Sequence, residues 1–396
     1  MELFTDTKPN LFSLTEEQNA ILEAADEYAK TELYPLSEKM DKEEWWPKGV
    51  FKKMAQQGLL GVTVDPKYGG VGLGYLEGGL ICQTLGRWNH ALALSWVAHD
   101  NLCVDNIYRN GSEYIREKYL PGLCSGELVG CLGLTEPGAG SDALGSMRTT
   151  AVKEGNDYIL NGRKMYITNG PIADIALVYA KTDLQAGSKG ITAFVVETNT
   201  PGFSVAQKLT KMGFRGSQTA ELVFEDCRVP AENILGIEGR GHVVVMSGLD
   251  YERAMIAPIN LGISERALDL SIEYAKIREQ FGKPISSFQM IQSKLADMYV
   301  WTETSRSFVY QVLAQCDATD KKESGRGHIH MQTAAAVMYA ANMCNKVLNE
   351  LVQIHGGTGY IWESEANRLY RANKLLEIGA GTTEVRKMII SKELLR

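Results

Sequence analysis

The stretch LGLTEPGAGSD, residues 132–142, marks the place where the chain changes from helical to β character. Before it, from residue 11 to about residue 125, apolar residues recur at helical spacing. After it, to about residue 235, short segments of alternating or β-branched residues are separated by Gly, Asn-Gly and Pro-Gly. Long helical segments return from residue 248. Because the order helices, strands, helices has no β-α-β rhythm, it predicts an α+β protein and disfavours a Rossmann or TIM-barrel fold.

Three domains follow from these changes of character, and the length of 396 residues allows them. We predict an N-terminal α-helical domain over residues 1–129, a middle antiparallel β domain over 130–240 and a C-terminal helical domain over 241–396. Inside the β domain, Asn161-Gly162 predicts a hairpin turn. The first long helix of the last domain is predicted over residues 250–280.

Composition and charge exclude several classes of protein. The net charge of −7 argues against nucleic acid as a partner, because nucleic-acid-binding domains usually carry a basic face. No apolar run reaches the roughly 20 residues of a membrane-spanning helix, so we expect no membrane insertion. Seven cysteines without a CxxC pair predict buried free thiols in a reducing compartment. We expect no metal site, and we expect His328 and His330, in a charged linker, to be solvated.

The N-terminal residues 1–10 bear on the compartment. They have neither the basic and then apolar pattern of a signal peptide nor the Arg-rich character of a transit peptide. We expect a cytoplasmic protein if the source is bacterial, and a mitochondrial-matrix protein in processed form if it is eukaryotic.

The stretch 132–142 is also a candidate ligand site. Its glycines, Gly140 among them, let backbone N–H groups approach a ligand, and Thr135 and Ser141 add hydroxyl groups. Such a loop can receive a flavin edge or a phosphate group, or it can be an ordinary turn. Tyr166-Ile-Thr168 further on could pack an aromatic ring against a flat cofactor, or could form a plain core strand.

Glu252 is the candidate general base. It lies on one helical face with an apolar stripe that includes Met255 and Ile259. A carboxylate in such a stripe loses solvation, which raises its pKa toward the range where a general base works. The alternative is an exposed acid in the first turn, stabilised by the helix dipole. Arg253 can pair with Asp250, three residues earlier, or contact a ligand.

Two further places could bind an anion. Arg278, in the sequence REQFG, ends a helix near Phe281 and could hold a pyrophosphate or simply cap the helix in solvent. QIHGG at 353–357 places small residues at a helix end, and Thr382 is an expected N-cap. Backbone N–H groups at a helix start bind anions readily.

Taken in this order, these stretches resemble the acyl-CoA dehydrogenase family over nearly the whole chain. The matching stretches are TEPGAGSD at 135–142, ITNG at 167–170, REQFGKPI at 278–285, QIHGGTGY at 353–360 and GTTEVR at 381–386. The resemblance implies a helical domain, a middle β domain and a C-terminal four-helix bundle, with FAD bound between the last two in a homotetramer. It also implies an acyl-CoA substrate and an electron-transfer flavoprotein as electron acceptor.

The resemblance also bears on the catalytic base, which this family places at one of two positions. The position before the Gly-Thr of the C-terminal motif is Ala380 here and has no carboxylate. The other lies on the long helix, where GLDYER at 248–253 is similar to isovaleryl-CoA dehydrogenases. The resemblance thus implies Glu252 as base and oxidation of a short branched-chain acyl-CoA, isovaleryl-CoA to 3-methylcrotonyl-CoA, in leucine catabolism. Tyr166, Tyr251 and Leu376 depart from the pattern of these relatives, and these departures bear on the acyl group.

The same resemblance implies two sets of binding residues. The residues implied for FAD are Leu132, Leu134, Thr135, Gly140, Ser141, Tyr166, Ile167, Thr168, Arg278, Gln280, Phe281, Gln289, Gln353, Gly356, Gly357, Thr382 and Glu384. Those implied for the substrate are Ser141, Ser188, Lys189, Asp250, Arg253, Ala380 and Gly381. Arg278 and Gln289 would reach FAD across a subunit interface. The main-chain N–H of Ala380 and a ribityl hydroxyl of FAD would polarise the thioester carbonyl.

Other functions are compatible with the same residues. One is a dehydrogenase of the same fold for another or longer branched acyl-CoA. A second is a flavoprotein of this fold with oxidase or desulfinase chemistry. A third is a non-catalytic CoA-binding or scaffold protein.

Overall fold

The computed structural model describes residues 14–319 and 325–396, so the N-terminal residues 1–10 considered for targeting lie outside it. The chain begins with helices. They are α1 (Glu16–Tyr28), α2 (Ser37–Glu43), α3 (Val50–Ala55), α4 (Tyr75–Trp96), α5 (Asn106–Asn110) and α6 (Glu113–Cys124). Nearly every residue of α4 is buried, because this helix packs against helices from the far end of the chain.

A single sheet follows. Its strands are β1 (Gly130–Gly133), β2 (Thr150–Glu154), β3 (Asp157–Thr168), β4 (Ile175–Lys181), β5 (Ile191–Glu197), β6 (Phe203–Lys208), β7 (Thr219–Pro230) and β8 (Ile234–Leu235). They lie in the order β6-β7-β3-β2-β4-β5-β8, with β1 beside β4. The prediction of a wholly antiparallel sheet is wrong at one place, since β4 runs parallel to β1 and to the end of β2. The β2–β3 hairpin comes between β1 and β4 in the sequence. After this hairpin the chain returns to the sheet as β4, which runs in the same direction as β1.

The predicted turn at Asn161-Gly162 is also wrong. Both residues lie inside β3, at a shift of register against β7. The β2–β3 turn is formed instead at Gly155, whose φ of 63° is the left-handed conformation that such a turn needs. Gly162 is required for another reason: a Cβ atom there would come within 2.5 Å of the hydroxyl oxygen of Thr149.

Long helices form the C-terminal part of the chain. They are α7 (Gly241–Ile277), α8 (Gln289–Ala318), α9 (Gly327–His355), α10 (Gly357–Tyr360), α11 (Glu365–Asn373) and α12 (Thr383–Leu394), with a two-stranded hairpin, β9 (Glu279–Gln280) and β10 (Lys283–Pro284), between α7 and α8. The predicted helix over 250–280 is α7, which begins already at Gly241. Thr382 caps α12 as expected, because its hydroxyl accepts from the N–H of Val385. Helices before and after one sheet confirm the predicted fold class.

The packing of α7 positions the site described below. Its first turns, through Val244 and Val245, share a core with one face of the sheet. Its later turns share a core with α4, α8 and α9. The middle of α7 therefore lies where sheet and helical bundle meet. The seven cysteines are buried free thiols, as predicted.

Candidate active site

Glu252 lies at this junction, about three turns into α7. It is therefore not the exposed first-turn acid of the alternative interpretation. Its side chain is half-buried between the buried residues Tyr251 and Arg253. Loss of solvation raises the pKa of Glu252 to about 7, while the positive charges of Arg253 and Arg386 act in the opposite direction. A carboxyl group with this pKa exchanges protons readily near neutral pH.

Arg253 connects this helix to the turn before α12. Its Nε–H donates to the carbonyl oxygen of Ala380 over 3.1 Å, and its Nη1–H donates to Asp250 over 3.2 Å. Ala380 has a φ of 56° and Gly381 a φ of 93°, so two successive residues are left-handed. The structure thus brings Arg253, the neighbour of Glu252, to the turn that contains Ala380 and Gly381, although 127 positions separate Arg253 from Ala380.

Asp250 lies behind this turn and is only 1% exposed. Besides Arg253, its carboxylate accepts from the backbone N–H of Gly325 and bonds to Nδ1 of His330. The prediction that His330 is solvated is therefore wrong, because this carboxylate draws the ring into the protein. His328 is exposed. The contacts of Asp250 lie within the protein, and its predicted role toward the substrate stays a prediction.

A cavity of 840 Å³ opens beside these residues. Its inner wall includes His330 and Val385, and Ser188 of the sheet domain lines it as well. Arg326, Lys392 and Arg396 also line the cavity, together with Glu393, which forms an ion pair with Arg396. Lys189, next to Ser188, is exposed. The cavity therefore offers the cationic side chains of Arg326 and Lys392 to an anionic ligand.

The loop at residues 132–142 rests on a buried ion pair. Lys164 is fully buried, and its ammonium group contacts Glu136 at 2.8 Å and the carbonyl oxygen of Leu134 at 3.2 Å. Glu136 also accepts from the backbone N–H groups of Arg148 and Thr149. Glu136 thus ties the loop to β3 and to the chain just before β2.

Above this ion pair the loop is open. A Cβ atom added at Gly138 or Gly140 would meet nothing within 4 Å, and Ser141 is exposed. The backbone N–H of Met165 donates to Thr135, which brings the start of the loop beside Tyr166. Leu132 and Thr135 are half-buried and Leu134 is buried.

Tyr166 projects from the end of β3 beside this loop. It has a φ of 62°, and its side chain is 68% exposed. An aromatic residue held in the left-handed region is strained, and such strain is concentrated at ligand sites. Ile167 is buried beneath it and Thr168 is half-buried. A flat ring system fits between the open loop and this exposed aromatic face, so the residues present fit a flavin.

The remaining residues predicted for FAD lie elsewhere. Arg278, Gln280, Phe281 and Gln289 are exposed around the β9–β10 hairpin, with Phe281 93% exposed. Gln353, Gly356 and Gly357 are exposed at the end of α9. The two groups are neighbours, because Tyr274 near the end of α7 stacks on His355. Thr382 and Glu384 lie at the start of α12 instead.

The structure does not bring this second group to Glu252. Arg278 follows Glu252 by 26 positions along one helix, which corresponds to about 39 Å at 1.5 Å per residue. That distance exceeds the reach of one FAD molecule lying beside Glu252. The two groups can serve the same FAD only if they belong to different subunits.

Sequence reasoning missed one residue at this site, Arg386 of α12. Its side chain is completely buried, and it donates from Nη1 to the carbonyl oxygen of Leu376 over 2.9 Å and from Nη2 to that of Gly379. Burial and the charge of Arg253 lower the pKa of Arg386 to about 10. Arg386 is the last residue of the GTTEVR stretch, but the pattern of a short helix does not show whether a basic residue on it is buried or solvated.

Three parts of the chain match models of one protein family. Residues 15–127 match the acyl-CoA dehydrogenase N-terminal domain, residues 131–227 the middle domain and residues 239–395 the C-terminal domain. None of the described helices combines the length and the apolar character that a membrane crossing requires.

Individual proteins are similar over the full length. The mitochondrial isovaleryl-CoA dehydrogenase of Oryza sativa subsp. japonica is 46% identical over 100% of this chain and 94% of its own. The solved butyryl-CoA dehydrogenase of Megasphaera elsdenii is 39% identical over 97% of this chain and 100% of its own, with a TM-score of 0.92. A solved FAD complex of PigA is 31% identical over 97% of this chain and 98% of its own, with a TM-score of 0.91.

Proposed function

Because the chain belongs to the acyl-CoA dehydrogenase family, we propose that its substrate is a short branched-chain acyl-CoA, isovaleryl-CoA, and its product 3-methylcrotonyl-CoA. The enzyme is an FAD-dependent acyl-CoA dehydrogenase. One observation carries the finer proposal: Glu252 on α7 is a carboxyl group whose pKa is raised by burial, its neighbour Arg253 bonds to residue 380, and residue 380 is an alanine.

In this proposal Glu252 removes the α-proton of the acyl-CoA. The proton goes to the carboxylate, which must be ionised when the substrate binds. The backbone N–H of Ala380 donates to the thioester oxygen, where negative charge develops as the proton leaves. FAD, when bound, supplies the oxidising power by accepting the hydride from Cβ.

The cavity beside α12 supports an acyl-CoA as ligand. Its cationic side chains, Arg326, Lys392 and Arg396, suit the phosphate groups of the CoA nucleotide. Val385 lines the cavity and also lies in contact range of Gly381, which connects the cavity to the turn beside Glu252. In this proposal the acyl end would extend from the cavity toward Glu252, which does not itself line the cavity.

The proposed FAD site combines two subunits. The open loop with Thr135 and Ser141, together with Tyr166, would hold the flavin ring near Glu252. The exposed group around Arg278 and Phe281 would bind the rest of an FAD molecule in the partner subunit, since its own Glu252 is too distant. A homotetramer provides such interfaces, and an electron-transfer flavoprotein is the proposed electron acceptor.

The acyl group is proposed from the space at position 380. Alanine leaves room where a glutamate side chain would lie, and a methyl branch at C3 can occupy that room. Burial of one methyl group favours binding by roughly 0.8 kcal/mol. Next to Glu252 in the sequence, Tyr251 is buried and stacks on Tyr75 with ring centroids 4.4 Å apart, which holds this part of α7 rigid.

Anaerobic bleaching of the flavin by a panel of acyl-CoAs tests the proposal. We expect isovaleryl-CoA to reduce the flavin with a higher kcat/KM than butyryl-CoA, 2-methylbutyryl-CoA or longer branched esters. A preference for butyryl-CoA would refute the branched substrate and leave the family activity intact. Reoxidation by dioxygen as fast as by an electron-transfer flavoprotein would instead indicate an oxidase.

A further inference from the structure

Arg386 is a buried cation whose surroundings call for an explanation. Its side chain is 0% exposed, yet it forms no ion pair with any carboxylate among residues 14–319 and 325–396. Its hydrogen bonds go to two carbonyl oxygens, those of Leu376 and Gly379. A guanidinium group without a carboxylate partner is costly to bury.

The bond to Gly379 determines the direction of one N–H group. The carbonyl of Gly379 and the N–H of Ala380 belong to the same peptide unit, which is planar and trans. In a trans unit the two groups point in opposite directions. Because Arg386 holds the carbonyl on its own side, the N–H of Ala380 is turned toward the opposite side.

The next peptide unit is held from α7. Arg253 donates to the carbonyl oxygen of Ala380 itself, over 3.1 Å. Two buried guanidinium groups from different helices therefore fix the peptide units on both sides of Ala380. They hold a residue with a φ of 56°, a conformation that a residue with a Cβ atom seldom adopts unless its surroundings impose it.

We propose that Arg386 is a positioning residue, which acts through the Gly379–Ala380 peptide to aim the N–H of Ala380 at the thioester carbonyl of the substrate. This inference rests on the proposed function. The side chain itself does not touch the substrate. The positive charge of Arg386 has a second effect, because it also acts on Glu252. This electrostatic effect can be separated from the positioning of the peptide. The other charged or titratable groups near Glu252 are Arg253 on the same helix and Tyr179 on β4.

Two variants of the holoenzyme separate geometry from charge. R386K keeps a positive charge but has a single ammonium group, which cannot span both carbonyls as the guanidinium does. R386M removes the positive charge and both hydrogen bonds but keeps an unbranched side chain of similar length. Lys387, exposed on the next position of α12, provides the matched control K387M. Flavin reduction by isovaleryl-CoA is followed by anaerobic stopped flow from pH 6 to pH 9.

We expect R386K to lower the limiting rate of flavin reduction by about 10²-fold, the usual loss when one donor to a developing oxyanion is removed. The substrate dissociation constant and the pH midpoint of its rate should stay close to those of wild type. R386M should lose at least as much rate, and its pH midpoint should move upward because a cation near Glu252 is gone. K387M should behave as wild type.

A second readout does not depend on turnover. Acetoacetyl-CoA ionises to an enolate when its carbonyl oxygen is stabilised, and the bound enolate is measured by absorbance. We expect both Arg386 variants to bind a smaller enolate fraction than wild type. If R386K fails to retain FAD, R386A is assayed with added guanidinium ion, which fits the vacated space. Restored reduction supports the inference, and no restoration overturns it.

Wild-type rate and enolate fraction in R386K would overturn the inference. That outcome differs from a failure of the proposed function, in which no acyl-CoA bleaches the flavin of the wild-type enzyme.

Discussion

Replacing Glu252 with glutamine should stabilise the free enzyme at alkaline pH while it abolishes flavin reduction. The pKa of this carboxyl group rises from 4.5 to about 7 in the folded chain. At a pH between these two values, the Glu252 carboxyl group is ionised in the unfolded chain and still protonated in the folded chain. Stability is therefore lost as the pH rises from about 4.5 to about 7, and the loss is complete above pH 7.

The size of this effect follows from the same two pKa values. A tenfold change in an equilibrium constant corresponds to about 1.4 kcal/mol, so the full cost above pH 7 is about 3 kcal/mol. Glutamine has no charge to desolvate and removes this cost. At pH 5, where little of the cost has developed, the variant and the wild type should differ much less. The free energy of unfolding of Glu252→Gln should therefore exceed that of the wild type by an amount that grows from pH 5 to pH 8.

Thermal unfolding of the two proteins at matched FAD concentration measures this difference across the pH range. Glu273→Gln, which changes an exposed acid on the same helix, is the control and should show no widening. Flavin reduction is measured in parallel. It should fall by about 10²- to 10⁴-fold or more in Glu252→Gln, and in wild type it should rise with pH through about 7, since the base must be ionised. A pH-independent stability difference, or near-normal flavin reduction, would refute the reasoning.

Three further outcomes are expected. Arg278→Ala should purify with less FAD than the wild type. The control Lys276→Ala, at the same exposed helix end, should purify with a full complement of FAD. A fully loaded Arg278→Ala protein would contradict the shared site. Ala380→Glu should lower kcat/KM for isovaleryl-CoA at least about fourfold more than for butyryl-CoA, the value of one buried methyl group, and equal losses would argue against the branch pocket. Lys164→Met should lower the free energy of unfolding by about 3–5 kcal/mol in denaturant titrations, because it leaves the buried carboxylate of Glu136 unpaired. The double variant with Glu136→Gln should recover part of that loss, and no recovery would show that the ion pair is not the cause.

The sequence predicted those parts of the candidate site that depend on residues a few positions apart in the chain. Glu252 could be identified because residues three and four apart share a helical face, so its apolar surroundings are visible in one short stretch. The capping role of Thr382 is local in the same sense. Tyr166 and the glycine loop were recognisable as candidates, but their open surroundings were not.

Other parts of the site could not be predicted because they depend on contacts between distant positions. His330 bonds to Asp250 across 80 positions, and Arg253 bonds to Ala380 across 127. The spacing of hydrophobic residues shows whether one face of a helix is apolar. It does not show which carboxylate or carbonyl group from a distant part of the chain will contact that face. Arg386 was missed for that reason.

The sequence by itself determined the order of helices and strands, the class of fold and the position of Glu252, the proposed base, on its helix. These follow from side-chain periodicity and from turn residues, which act over a few neighbouring positions. Only the tertiary structure decided that β4 lies parallel to β1, that Gly155 rather than Gly162 forms the turn, and that Arg278 lies about 39 Å from Glu252 along α7. Strand pairing and the meeting of helix ends depend on how whole elements bury their apolar faces against one another. That choice is made by the packed chain as a whole, and no short stretch of it carries the information.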